Sequence, residues 1–83
     1  MTNATISEQA RALLAAALEM DAAQIPDHAD IESLEQWTSV AHLRLVLGIE
    51  ERLGAELTPD DAVAIVSLAD VAALLARHAA PAG

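Results

Sequence analysis

The run Trp37-Thr38-Ser39-Val40-Ala41-His42-Leu43-Arg44-Leu45-Val46-Leu47-Gly48-Ile49-Glu50-Glu51-Arg52-Leu53-Gly54 decides how the chain is read. Thr38 and Ser39 are both helix openers, since a side-chain oxygen at that point accepts from a free amide of the first turn. Gly54 is a suitable stop, because glycine reaches the left-handed conformation that closes a helix. Between them, at about 100° per residue, Leu45, Val46, Ile49 and Leu53 fall on one stripe, and Val40, Leu43 and Leu47 on an adjoining one. Together they span an apolar arc of about 220°, against the ~100° that a surface helix needs to face a core. Either the whole arc is buried in a tightly wound bundle, or the second stripe is a ledge for a partner or a greasy ligand. The wheel leaves both open.

Working outward, Thr5-Ile6-Ser7-Glu8 has the pattern of a capping box. Ile6, Ala10, Leu13, Leu14, Ala17 and Leu18 then follow at the spacing of one helical face, so a helix is expected over about 5–20. From Asp21 to Thr38 the period is lost and Pro26 forbids a continuous helix. Ile25, Ile31, Leu34 and Trp37 punctuate this long loop, as expected of one that packs down onto helices. The quoted helix covers about 39–53. Thr58-Pro59-Asp60-Asp61 starts a short helix over 60–66, with Thr as cap, proline in the first turn and two acids facing the helix dipole. Ser67-Leu68-Ala69-Asp70 opens the last helix, 68–78, with Val71, Leu74 and Leu75 inward; Ala79 to Gly83 are expected to fray. The expectation is an all-α four-helix bundle with a long first loop and a short third helix, one domain over 1–83.

Composition narrows the function. The chain has 83 residues, 54% of them apolar, enough for a small packed core. Thirteen acids face four basic residues, all arginine, for a net charge of −9. Such a chain repels phosphate backbones and anionic lipid, so neither nucleic acid nor a membrane surface is expected as a partner. With Trp37 as the single aromatic there is no platform for stacking bases. No cysteine is present, which removes thiol nucleophiles and Cys-rich zinc sites. Met1 to Ala10 lacks a basic leader, and the apolar run Ala62 to Ala76 is interrupted by Asp70. A cytoplasmic monomer is expected.

The quoted run resembles the phosphopantetheine attachment region of acyl carrier proteins. In that family an Asp-Ser-Leu triplet opens a helix that runs through apolar residues to Glu-Glu, a bulky residue and Gly. Glu56-Leu57-Thr58-Pro59-Asp60-Asp61 resembles the family's turn into its short third helix, and Val66-Ser67-Leu68-Ala69-Asp70-Val71 the start of its fourth. The resemblance covers nearly the whole chain. It implies that Ser39 is not catalytic but a substrate, to which a phosphopantetheinyl transferase joins the arm of coenzyme A. The covalent 4′-phosphopantetheine would then hold an acyl group as a thioester and present it to acyl-loading and acyl-processing enzymes. Thr38, Val40, Leu43, Arg44, Leu47, Glu50 and Glu51 would meet those partners.

Two departures bear on the pathway. The triplet's Asp is Thr38 here, and His42 and Arg44 stand where carriers of primary fatty-acid synthesis usually have acids. Trp37 and the Ala41-His42-Leu43-Arg44-Leu45 run resemble free-standing carriers of polyketide or mixed polyketide–peptide pathways. The Gly-Gly-x-Ser pattern of peptidyl carriers is absent. The alternatives are an aminoacyl or peptidyl carrier, or a helical interaction module with no prosthetic group that binds through Val40, Leu43 and Leu47. From spacing alone, Thr38 or Ser39 reads as a plain helix cap. A hydrolase triad of Ser39, His42 and one of Asp27, Asp30 or Glu35 can be sketched, but a small bundle lacks the oxyanion hole such chemistry needs. His28, His42 and His78 have no metal-ligand spacing.

Overall fold

The computed structural model describes residues 5–79. They form α1 (Ile6–Leu18), a 3-10 turn (Ala22–Gln24), α2 (Ser39–Leu53), α3 (Pro59–Ala64) and α4 (Leu68–Ala79). The all-α, four-helix architecture expected from the sequence is the one observed; Ala79, expected to fray, is instead the last residue of α4, and the fraying expected after it lies outside the described residues. Among the described residues no helix is long and apolar enough to cross a membrane.

Each helix begins where its side chains make it begin. Thr5 Oγ1 accepts from the Glu8 amide at 3.1 Å, and Glu8 accepts from the Thr5 amide at 2.9 Å. That backbone bond, with the Thr5 side chain, holds the Glu8 carboxyl below its ordinary range. Thr58 caps α3 through the Asp61 amide at 3.0 Å, with Pro59 at its first position. At α4, Ser67 Oγ accepts from the Asp70 amide at 3.1 Å. The return bond goes one residue further back than a standard box, from the Val66 amide to Asp70 Oδ2 at 3.0 Å.

The ends differ more from expectation. α1 stops at Leu18 rather than near Met20, because Glu19 turns left-handed (φ 58°) and the amides of Glu19 and Met20 close back on Ala16 and Ala15. Gly54 (φ 68°) closes α2 as its sequence suggests. α3 ends at Ala64, two residues before the expected limit, because Val66 is drawn into a contact with the long loop. There Ile31 N–H donates to the Val66 carbonyl at 2.8 Å and Leu68 N–H to the Ala29 carbonyl at 3.0 Å, an isolated antiparallel bridge centred on Asp30 and Ser67.

The core comprises Ala10, Leu14, Ala15, Ala17 and Leu18 of α1, Ala41, Leu45 and Ile49 of α2, and Leu68, Val71, Leu74 and Leu75 of α4, with Ile25, Ala29 and Trp37 from the loop and Ile65 after α3. α1 packs against both α2 and α4. α3 stands apart from this packing: none of its residues is buried, and it is anchored at its flanks by half-buried Leu57 and buried Ile65. The long loop is ordered from within. Asp30 Oδ1 accepts from the Glu32 and Ser33 amides, and Arg11 holds both the Ile25 carbonyl and the Asp27 carboxylate. Of its four expected anchors, Ile25 and Trp37 are buried and Leu34 is half-buried, but Ile31 faces outward. The bridge fixes Ile31's backbone at the surface and leaves its side chain at the edge of a groove.

Candidate functional site

Thr38 and Ser39 both offered a cap, and the structure separates them. Thr38 Oγ1 accepts from the Ala41 amide at 3.1 Å and so serves as the cap of α2. The Ser39 hydroxyl is thereby released: it is exposed and makes no hydrogen bond among the described residues. The backbone amides of Ser39 and Val40 are likewise unengaged at the positive end of a 15-residue helix. No acid lies in the first turn of α2. A free hydroxyl beside open amides, without a neighbouring carboxylate in that turn, suits a phosphodiester linked through that oxygen.

The wheel's open question is resolved by exposure. Ala41, Leu45 and Ile49 are buried, and Val46 and Leu53 half-buried, whereas Val40, Leu43 and Leu47 are 59%, 60% and 55% exposed. The second stripe is a ledge, running away from Ser39 along α2. Arg44 is exposed on the same helix and lies 3.5 Å from Glu19. Glu51 is exposed. Glu50 is half-buried, with Oε2 accepting from the Leu57 amide at 2.8 Å, so much of its role is to hold the turn after α2.

On the other side of Ser39 lies a groove of about 350 Å³, lined chiefly by Ile31, Trp37, His42, Val63, Ile65 and Val66, with Thr38 and Ser39 at its rim. Sequence reading identified Trp37 as a loop anchor but did not find the groove, because its walls come from the loop, α2, α3 and the α3–α4 junction. The side chain that joins them is His42. Trp37 Nε1–H donates to His42 Nδ1 at 3.0 Å, and His42 Nε2 lies 2.8 Å from the Ala62 carbonyl. An indole N–H only donates and a carbonyl only accepts, so the His42 proton sits on Nε2. The two rings lie 23° from parallel with centroids 6.2 Å apart.

This arrangement removes the sketched triad. Both His42 nitrogens are committed away from Ser39, Asp27 is taken by Arg11, and Asp30 holds two loop amides. Among the described residues no side chain is bonded to Ser39 as a general base.

A family model described as the phosphopantetheine attachment site matches residues 8–75. The chain belongs to this family. It is a non-catalytic carrier whose prosthetic group is covalent 4′-phosphopantetheine, installed by a phosphopantetheinyl transferase. A comparison with curated proteins finds no match. The absence of cysteine is consistent with this chemistry, since the arm supplies the thiol.

Proposed function

We propose that Ser39 is the attachment point and that the chain is an acyl carrier, serving dedicated enzymes of polyketide or mixed polyketide–peptide biosynthesis. The carrying observation is the Ser39 hydroxyl, exposed and unbonded at the start of α2 while Thr38 caps the helix. On transfer the Ser39 oxygen would bond to the phosphorus on the pantetheine side of coenzyme A's pyrophosphate, the P–O bond to the nucleotide half would break and adenosine 3′,5′-bisphosphate would leave, with the hydroxyl proton taken up by a base of the transferase. The Ser39 and Val40 amides and the dipole of α2 then face the remaining negative charge. When bound, the arm supplies a terminal thiol on which an acyl group is held as a thioester. The chain itself positions the tether, offers a ledge beside it, and keeps the thioester at high local concentration for a docked enzyme.

Val40, Leu43 and Leu47 are the apolar part of the proposed partner face, with Thr38, Arg44, Glu50 and Glu51 as its polar part. Their exposure supports this assignment, because isolated apolar residues are common on surfaces but a stripe of three on one helix beside the tether is a contact surface. The dedicated pathway is supported by charge: the first turn of α2 holds no acid, and the exposed cation in its first half is Arg44. A partner built around a basic patch finds little to grip there. In this reading the whole chain, 1–83, is one carrier domain working as a cytoplasmic monomer.

The test is intact mass after incubation with coenzyme A and a broad-specificity transferase. One phosphopantetheine should be added to the parent and none to Ser39→Ala, with circular dichroism unchanged. Modification of the Ala variant, or no modification of the parent by any of several transferases, overturns the assignment of Ser39.

A further inference from the structure

α3 is the least secured element of the bundle. It has six residues, none of them buried, and its Val63 is 74% exposed. Its ties to the rest are the flanking anchors Leu57 and Ile65, an ion pair from Asp61 to Arg77 at 3.6 Å on the α4 side, and the bond from Ala62 to His42. Among these, His42–Ala62 joins the body of α3 directly to α2, and it does so at the wall of the groove beside Ser39. The same ring is held on its other nitrogen by Trp37, itself buried. One wall of the groove (Trp37, Ile65, Val66) is therefore fixed by the core and the loop bridge, while on the side of Val63 the His42 ring supplies the hydrogen bond that ties α3 to α2. With His42 in place the groove measures about 350 Å³, near the lower end of the roughly 300–1,000 Å³ found for small-molecule sites.

Resting on the assignment of the tether to Ser39, we propose that His42 is a specificity-determining residue: by latching α3 to α2 it confines the groove to short apolar acyl cargo and leaves longer chains in solvent. Groove and tether share residues, since Ser39 and Thr38 form the rim. A short acyl group brought back to the rim covers Ile31, Val63 and Val66, which otherwise face water. A longer chain must part α3 from α2, which breaks the Nε2–Ala62 bond and leaves a carbonyl without its donor.

The two halves of the latch can be cut separately. In His42→Asn the amide oxygen can take the place of Nδ1 and keep the Trp37 bond while the reach to Ala62 is lost. In His42→Gln the amide nitrogen can keep the Ala62 bond. The first measurement uses unmodified protein. Amide exchange at Ala62, Val63 and Ala64 should rise about tenfold in His42→Asn, with exchange at Leu45 and Ile49 unchanged, and should stay near the parent value in His42→Gln. Equal exchange in parent and His42→Asn overturns the latch, whatever Ser39 does.

The second measurement uses parent and His42→Asn carrying butanoyl or octanoyl arms, with the attachment site verified by mass. In the parent, butanoyl should shift the methyl resonances of Ile31, Val63 and Val66, and octanoyl should add nothing further. In His42→Asn the octanoyl methyl should reach Ile65 and Leu45 and show proton–proton contacts with them. Such contacts in the octanoyl parent, or their absence from a variant whose α3 exchange has risen, overturn the limit on cargo. A parent that takes no arm at Ser39 overturns the tether and the cargo limit together, and leaves the exchange result to decide the latch.

Discussion

The two apolar stripes of α2 are built from the same residue types and do opposite work. Leu45 and Ile49 are fully buried between α1 and α4, whereas Leu43 and Leu47, two positions away from Leu45 on either side, stand more than half exposed. Two residues along a helix is about 200° around it, so this contrast is what helical geometry imposes once one stripe faces the core. A chain of this size has too few helices to cover both. The uncovered stripe is the one nearest Ser39, which puts bare apolar surface beside the proposed tether.

The largest expected effect breaks the comparison from its buried side. Leu45→Ala removes a fully buried side chain and should cost about 2–5 kcal/mol, a large share of the stability of a small domain, read as a lowered midpoint in urea. Leu47→Ala should change stability by no more than about 0.5 kcal/mol. The Leu43→Ala, Leu47→Ala pair should nevertheless slow transfer of the arm to Ser39 by about tenfold, if the ledge is a contact surface of ordinary quality. Transfer at the parent rate would show that the ledge does not meet the transferase.

A smaller effect lies at the closing turns. Gly54 has φ 68° with open space around a would-be Cβ, so Gly54→Ala meets no neighbour and should cost only the left-handed penalty, about 1–2 kcal/mol. Glu19 already bears that penalty at φ 58° and also pairs with Arg44. Glu19→Gly relieves the backbone but loses an exposed ion pair and frees the unfolded chain, so the net change should stay within about 1 kcal/mol. Thermal midpoints of the two variants test this: a loss at Glu19→Gly equal to that at Gly54→Ala would mean the ion pair matters more than its exposure suggests.

These positions show what the sequence makes legible. Thr5, Thr58 and Gly54 act on backbone groups within a few residues of themselves, so their roles can be read from local order alone. The buried face of α2 could be read too, because periodicity reports which residues share a side. Its neighbour could not be placed, since whether Leu43 meets another helix depends on how many helices there are to cover it. Non-local bonds left no trace. The Ile31–Val66 bridge, the Arg11 bond to the Ile25 carbonyl and the His42 bond to the Ala62 carbonyl join residues distant in sequence through backbone atoms that every residue has. His42 is half-buried, and its role as a link between three elements came only from the structure.

The smallest effect concerns charge on the exposed side, and there His42 and Arg44 must be separated. Both stand where an acid would favour a basic partner, but only Arg44 is a surface charge. A glutamate at 42 would set a carboxylate against the Ala62 carbonyl and disturb the α3 latch, so it tests packing rather than attraction. Arg44→Glu is the cleaner change, though it leaves Glu19 facing a like charge 3.5 Å from the former guanidinium. Arg44→Glu combined with Glu19→Gln removes that repulsion. Exposed pairs contribute about 0–1 kcal/mol, so loading of the modified carrier by a primary fatty-acid transacylase should improve by at most about fivefold. The gain should shrink as salt shortens the screening length to about 8 Å at physiological ionic strength. A gain that persists at high salt would assign the preference to shape along Val40, Leu43 and Leu47. Turnover of the unchanged protein equal to that of an authentic fatty-acid carrier would remove the case for a dedicated pathway, while Ser39 and its ledge would remain as described.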